Sequence, residues 1–198
     1  MSVPLVFQSP LFRTLWWVTL LAVFLPETVM SKRLTSGAGA VKADRGSKMV
    51  VILTANFSIV LGYFVASWFP SMAFGRGWRE VFFAGLVVLV GGMMFRWYAI
   101  RVLGRFFTFD VAISAGQTVI ETGPYRWIRH PSYLGSLVGY VGVGMTLGNW
   151  VALLVPAVCM MAAYSYRIPV EERALVAGLG QAYEEYRERT WRLVPFVY

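Results

Sequence analysis

In an otherwise apolar chain, the stretch GPYRWIRHPSY (residues 123–133) holds the single histidine, His130, with Arg126, Arg129, Tyr125, Trp127 and Tyr133 between Pro124 and Pro131. Further on, Arg167 is followed by the pair Glu171 and Glu172. Such groups can grip anions, offer aromatic faces to a cation, and exchange a proton at imidazole. Each also has an ordinary role. The prolines favour an extended approach and a helix start after Pro131, with Trp127 and Tyr133 as interfacial anchors. Arg167 and Glu171 stand i, i+4, and acids after Pro169 suit the first turn of a helix. One histidine and one cysteine, Cys159, without a carboxylate cluster at ligand spacing, argue against a metal, a haem or an internal disulfide.

The elements that must position these groups are membrane helices. Of 198 residues, 58% are hydrophobic and 14% charged, against about 25% charged in soluble domains, so the chain reads as an all-α integral membrane protein. A hydrocarbon core takes about 20 helical residues to cross. Five stretches qualify, near Leu11–Met30, Met49–Phe69, Val81–Ile100, Tyr133–Leu147 and Trp150–Tyr166. The net charge of +8 sits between apolar runs rather than on one amphipathic face, which suits loop charges that set topology and argues against nucleic-acid binding.

Ala38 and Ala40 form a small-x-small pair, yet Arg13 alone precedes the first apolar run while Lys32 and Arg33 follow it. That is the wrong order for a cleaved signal, so the first helix reads as retained, its N-terminus outside. Five crossings then put every strongly basic segment on one side, the cytoplasmic one by the positive-inside rule. The fourth and fifth helices, joined at Gly148 and Asn149, form a tight hairpin. Gly135 and Gly139, spaced GxxxG, with Gly142 and Gly144, let helices approach closely. After Tyr166, Leu175, Leu179, Tyr183 and Tyr186 recur among charges, which predicts an amphipathic cytoplasmic helix lying on the membrane or closing over residues 101–133, with a bend at Gly178 and Gly180.

The order GPYRWIRHPSYLG, a glycine-rich helix, a Gly-Asn turn, R-x-x-x-E-E-x-x-L and G-x-x-Y-x-x-Y resembles the isoprenylcysteine carboxyl methyltransferase family and the related phospholipid methyltransferases over residues 100–196. Residues 1–100 then hold three N-terminal membrane helices, and the resemblance implies a methyltransferase core in 101–198. It implies S-adenosylmethionine as methyl donor, S-adenosylhomocysteine as product, and a lipophilic methyl acceptor reached from the bilayer. Carried over by motif, the cofactor contacts fall on Gln117, Thr118, Val119, Ile120, Tyr125, His130, Pro131, Ser132, Tyr133 and Glu171. Arg167 falls near the acceptor, as a catalytic and substrate-binding residue. Asp110 takes the place of a glutamine that touches the cofactor in animal members. His130 is either a donor to the cofactor or a general base. Arg126 and Arg129 read more simply as lipid-phosphate or topology residues. Two other readings stand beside this one: an NADPH-dependent membrane sterol or enone reductase, which shares R-H-P-x-Y-x-G, and a non-catalytic membrane subunit.

Overall fold

A computed structural model of the chain describes residues 4–34 and 41–195; the Ala38/Ala40 pair lies outside these. A short helix α1 (Leu5–Gln8) leads into α2 (Pro10–Arg33), then come α3 (Ser47–Trp68), α4 (Trp78–Leu103), α5 (Pro131–Thr146), α6 (Trp150–Leu179) and α7 (Gln181–Glu188). Two short strands, β1 (Val41–Lys42) and β2 (Ala112–Ile113), pair antiparallel with Val41 opposite Ile113. Four helices, α2, α3, α4 and α6, are long and apolar enough to cross a membrane. The fourth expected crossing, α5, has 16 residues, about 24 Å of rise. It is short for a span and is enclosed by α4 and α6.

Glycine lets α5 sit so deep. A Cβ added at Gly92 of α4 would lie 2.5 Å from the Gly139 nitrogen, and one added at Gly135 would lie 2.7 Å from both the Arg96 nitrogen and the Gly92 oxygen. The glycine spacing therefore works as expected, letting backbone lie on backbone. At one end of the bundle Asn149 organises the hairpin. Its Oδ1 accepts from the Val151 and Ala152 amides at 3.0 and 3.1 Å, while its Nδ2 donates to the Phe69 carbonyl at 2.7 Å, so one side chain caps α6 and ties it to the end of α3.

The helix of the fifth expected crossing continues past Tyr166. Helix α6 runs unbroken to Leu179, 30 residues or about 45 Å, with Pro156 and Pro169 inside it. A proline in a helix interior forfeits one backbone bond, and here the residues around Pro169 are held by side-chain contacts to the neighbouring loops. The bend comes instead at Gly180, whose φ of 59° opens the turn into α7. Gly178 serves a close approach, since a Cβ there would meet Ile113 of β2 at 2.7 Å. The tail closes over the loop before α5 rather than lying apart from it: Tyr186 is buried and its hydroxyl donates to the Tyr125 carbonyl at 2.7 Å.

Candidate active site

The loop between α4 and α5, the α2–α3 loop and the tail converge at the basic end of the bundle, around a cavity of about 740 Å³. This volume is ample for a cofactor-sized ligand. All the residues expected to touch the cofactor line it except Pro131, which is buried at the first position of α5 and starts the helix that carries Ser132 and Tyr133. Asp110 lines it too, with its carboxylate 3.0 Å from the Lys48 ammonium.

Residues 117–120 form part of the wall of the cavity. The amides of Thr118, Val119 and Ile120 have no hydrogen-bond partner among the described residues. Unpaired N–H groups in the lining of a cavity are available donors for a carboxylate. Opposite them, the rings of His130, Tyr133 and Tyr164 stack in series, with centroids 5.6 and 4.7 Å apart. Burial pushes the Tyr125 hydroxyl well above the usual phenol range, and Glu171 and Tyr186 nearby reinforce the shift, so it stays a neutral donor.

Glu171 and Glu172 part company. Successive helical residues point about 100° apart, and here the two carboxylates take different sides. Glu171 faces inward and accepts from the Tyr133 hydroxyl at 2.5 Å. Glu172 faces back, accepting from Arg129 Nε at 2.9 Å and Arg192 Nε at 3.1 Å, with His130 Nε2 3.4 Å away. Arg129 also donates to the carbonyls of Arg187 and Thr190, and residues 127–130 exchange backbone bonds with Trp191 and Arg192. The lipid-phosphate or topology reading of Arg129 is therefore corrected. It is an internal staple, and its guanidinium is spent on holding the tail against the motif. Arg126 stays exposed, its guanidinium 5.4 Å from the Trp127 ring centroid.

Arg167 is only 5% exposed and is occupied by the protein itself. It donates to the Tyr133 hydroxyl at 2.8 Å, Asp44 at 2.8 Å, Ser47 at 2.9 Å and the Phe109 carbonyl at 2.7 Å. One of its five N–H groups is left for another partner. Burial disfavours the Asp44 carboxylate, but the Lys48 and Val111 amides and the Arg167 charge outweigh it and hold its pKa below the ordinary 3.8.

The cavity also has a lipid-side half that the motifs do not reach. Leu21 and Leu25 of α2 and Ile52 and Val60 of α3 line it and are exposed on the bundle surface, and the two helices do not pack closely on each other. Polar side chains on these helices bond to their own backbone, Thr28 to Phe24 and Asn56 to Ile52. Between the two halves stands an ion pair. Arg96 of α4, 7% exposed, meets Glu27 of α2 through Nε at 3.0 Å and an NH2 group at 2.9 Å, and donates to the Ser132 carbonyl at 3.2 Å. Trp97 Nε1 adds a third bond to Glu27 at 2.9 Å. Sequence reasoning passed over this pair. The available signal was an acid and a base each isolated within an apolar run, because charges in a span face a partner or a cavity rather than lipid.

Comparison with known proteins points one way. Residues 84–177 match the model of the isoprenylcysteine carboxyl methyltransferase (ICMT) family. A probable protein-S-isoprenylcysteine O-methyltransferase of Oryza sativa subsp. indica is 30% identical over 148 residues, covering 74% of this chain and 76% of that protein. Protein-S-isoprenylcysteine O-methyltransferase B of Arabidopsis thaliana is 29% identical over 152 residues, covering 74% and 77%. The solved structure of a eukaryotic intramembrane Ras methyltransferase, isoprenylcysteine carboxyl methyltransferase, shares the fold with a TM-score of 0.60 at 22% identity. That match covers 94% of this chain, which spans 63% of the solved one.

Proposed function

The chain belongs to the isoprenylcysteine carboxyl methyltransferase family, and from that premise we propose that this cavity brings S-adenosylmethionine from the aqueous side to a prenylated or similarly lipophilic acceptor from the bilayer. The observation that carries this is the cavity's two-sided build: a polar half with unpaired amides and stacked rings, continuous with an apolar half between α2 and α3. Family membership favours methyl transfer over the reductase and subunit readings.

The residues present fit the donor. S-adenosylmethionine, when bound, supplies an electrophilic methyl group on a sulfonium cation. Amides of 118–120 would hold its carboxylate, with Gln117 at the start of that wall. The Tyr125 ring would face its positive charge, the Tyr133 ring, stacked between His130 and Tyr164, would flank it, and Glu171 would accept from its ammonium or ribose groups. His130, with Glu172 behind it, lines the pocket with its ring. An acceptor carboxylate is already ionised at neutral pH, so His130 need not act as a base for such a substrate. The protein's work is to align the two reactants and to keep water out.

On the acceptor side, Arg96 stands where the apolar half meets the polar one and offers a charged anchor for a polar head. Arg167 acts mainly as a positioning residue, fixing Tyr133 and fastening the α2–α3 loop over the cavity, with one N–H left for the acceptor. The basic end is cytoplasmic and the N-terminus lies outside, as the positive-inside rule directs.

Calorimetric titration of the purified protein with S-adenosylmethionine, S-adenosylhomocysteine and NADPH tests the reading. Both adenosyl compounds bind, and Glu171→Gln and His130→Ala each weaken them by about tenfold or more, the scale of one charge-assisted hydrogen bond. Binding of NADPH alone, or unchanged donor affinity in both variants, would refute it.

A further inference from the structure

On the face of α6 turned away from the cavity, Pro169, Glu172, Arg173, Val176, Arg187 and Arg192 line a second, open groove of about 350 Å³. Three guanidinium groups meet one carboxylate there. That carboxylate is already taken, since Glu172 pairs with Arg129 at 2.9 Å and with Arg192 at 3.0 Å. Arg173 and Arg187 are left without a counter-charge among the described residues. The Nε of Arg187 is buried with no hydrogen-bond partner among them, and a buried donor in that state is costly until an acceptor arrives.

The surroundings set this groove at headgroup level. Trp127 and Trp191 are 62% and 40% exposed and are joined by a backbone bond at 2.9 Å. Exposed indoles beside the end of a spanning helix mark a membrane–water boundary. Arg192 follows Trp191 directly, and Val176 and Ala177 give the groove an apolar wall.

We propose that this groove binds the phosphate of an anionic phospholipid, its oxygens shared between the forks of Arg173 and Arg187 and its acyl chains leaving past Val176 and Ala177. Planar guanidinium forks suit phosphate oxygens, and the apolar wall suits a lipid better than a soluble anion. Because Glu172 and Arg192 belong to both the groove wall and the lacing behind His130, the lipid braces the polar pocket from outside. The site stands independently of the methyl-transfer reading.

The test uses the full chain in phosphatidylcholine nanodiscs titrated with phosphatidylglycerol, with bound lipid read by native mass spectrometry. Wild type retains phosphatidylglycerol over phosphatidylcholine. The double variant Arg173→Gln/Arg187→Gln weakens that retention by about thirtyfold, and Arg173→Gln alone, on the exposed surface of α6, by about fivefold. Arg101→Gln/Arg105→Gln removes the same charge elsewhere and leaves retention unchanged. Equal retention by all of these proteins would reduce the effect to diffuse surface charge and overturn the proposal. So would inorganic phosphate displacing the lipid at matched concentration, which would make the ligand a soluble anion.

Discussion

Where α4 meets α5, glycine lies against glycine and backbone against backbone, with Gly92, Gly135 and Gly142 leaving no room for even a methyl group. Where α2 faces α3, the helices flank open space, and their apolar side chains line a cavity instead of each other. Both regions border the same site. A membrane enzyme cannot use the hydrophobic effect to hold helices together in lipid, so rigidity comes from close packing on one side, and access comes from withholding it on the other. The charged pair Arg96–Glu27 links the two regions, joining a helix of the seam to a helix of the gap.

Damaging the seam should have the largest effect. Gly92→Val puts side-chain carbons into the α5 backbone, and we expect no accumulation of cooperatively unfolding protein, a destabilisation of at least about 3 kcal/mol, read by thermal unfolding in detergent. A stable, active Gly92→Val protein would show that the seam can open. Next comes the link. Arg96→Met alone leaves the Glu27 carboxylate buried without its partner and costs about 3 kcal/mol, whereas Glu27→Met/Arg96→Met regains most of that stability. The double variant should nonetheless lose turnover, because the anchor between the two halves is gone. Full activity in it would make the pair purely structural.

The gap should tolerate change that the seam cannot. Ile52→Trp narrows the lipid-side half while leaving unfolding within about 0.5 kcal/mol of wild type, and we expect a raised KM for the lipophilic acceptor with an unchanged Kd for S-adenosylhomocysteine. If donor affinity falls equally, the two halves are not separate. The smallest effect is in acid. Asp44 has a folded pKa below its ordinary 3.8, so its contribution to stability is complete above about pH 4 and is lost as pH falls through the lower, folded value. Asp44→Asn should therefore lower stability at neutral pH and flatten the acid limb of a stability–pH profile, measured by the same unfolding assay.

What the sequence made legible follows from what sequence carries. Helix α3 and the α5–α6 hairpin could be read from apolar runs and a Gly-Asn turn, since a span is a local property. The polar pocket could be read because its residues come in two compact motifs. The pairing of Glu27 with Arg96 could not, since they are 69 residues apart and meet only when α2 docks on α4. Arg129 was misjudged for a similar reason: its partners lie in α6 and the tail, and nothing in GPYRWIRHPSY announces them. Pro169 misled in the other direction, because a local rule for helix breaking was outweighed by contacts that hold α6 on both sides of it.

The lacing of residues 127–130 to Trp191 and Arg192 has a consequence for biosynthesis. Those partners emerge from the ribosome about 60 residues after the motif, roughly 3–12 s later at ordinary elongation rates. During that interval α5 can already be in the bilayer with His130 lacking the segment that holds it. The nascent chain is thus inserted before it is competent, and the donor pocket takes shape only when its last strand-like segment returns to the membrane surface.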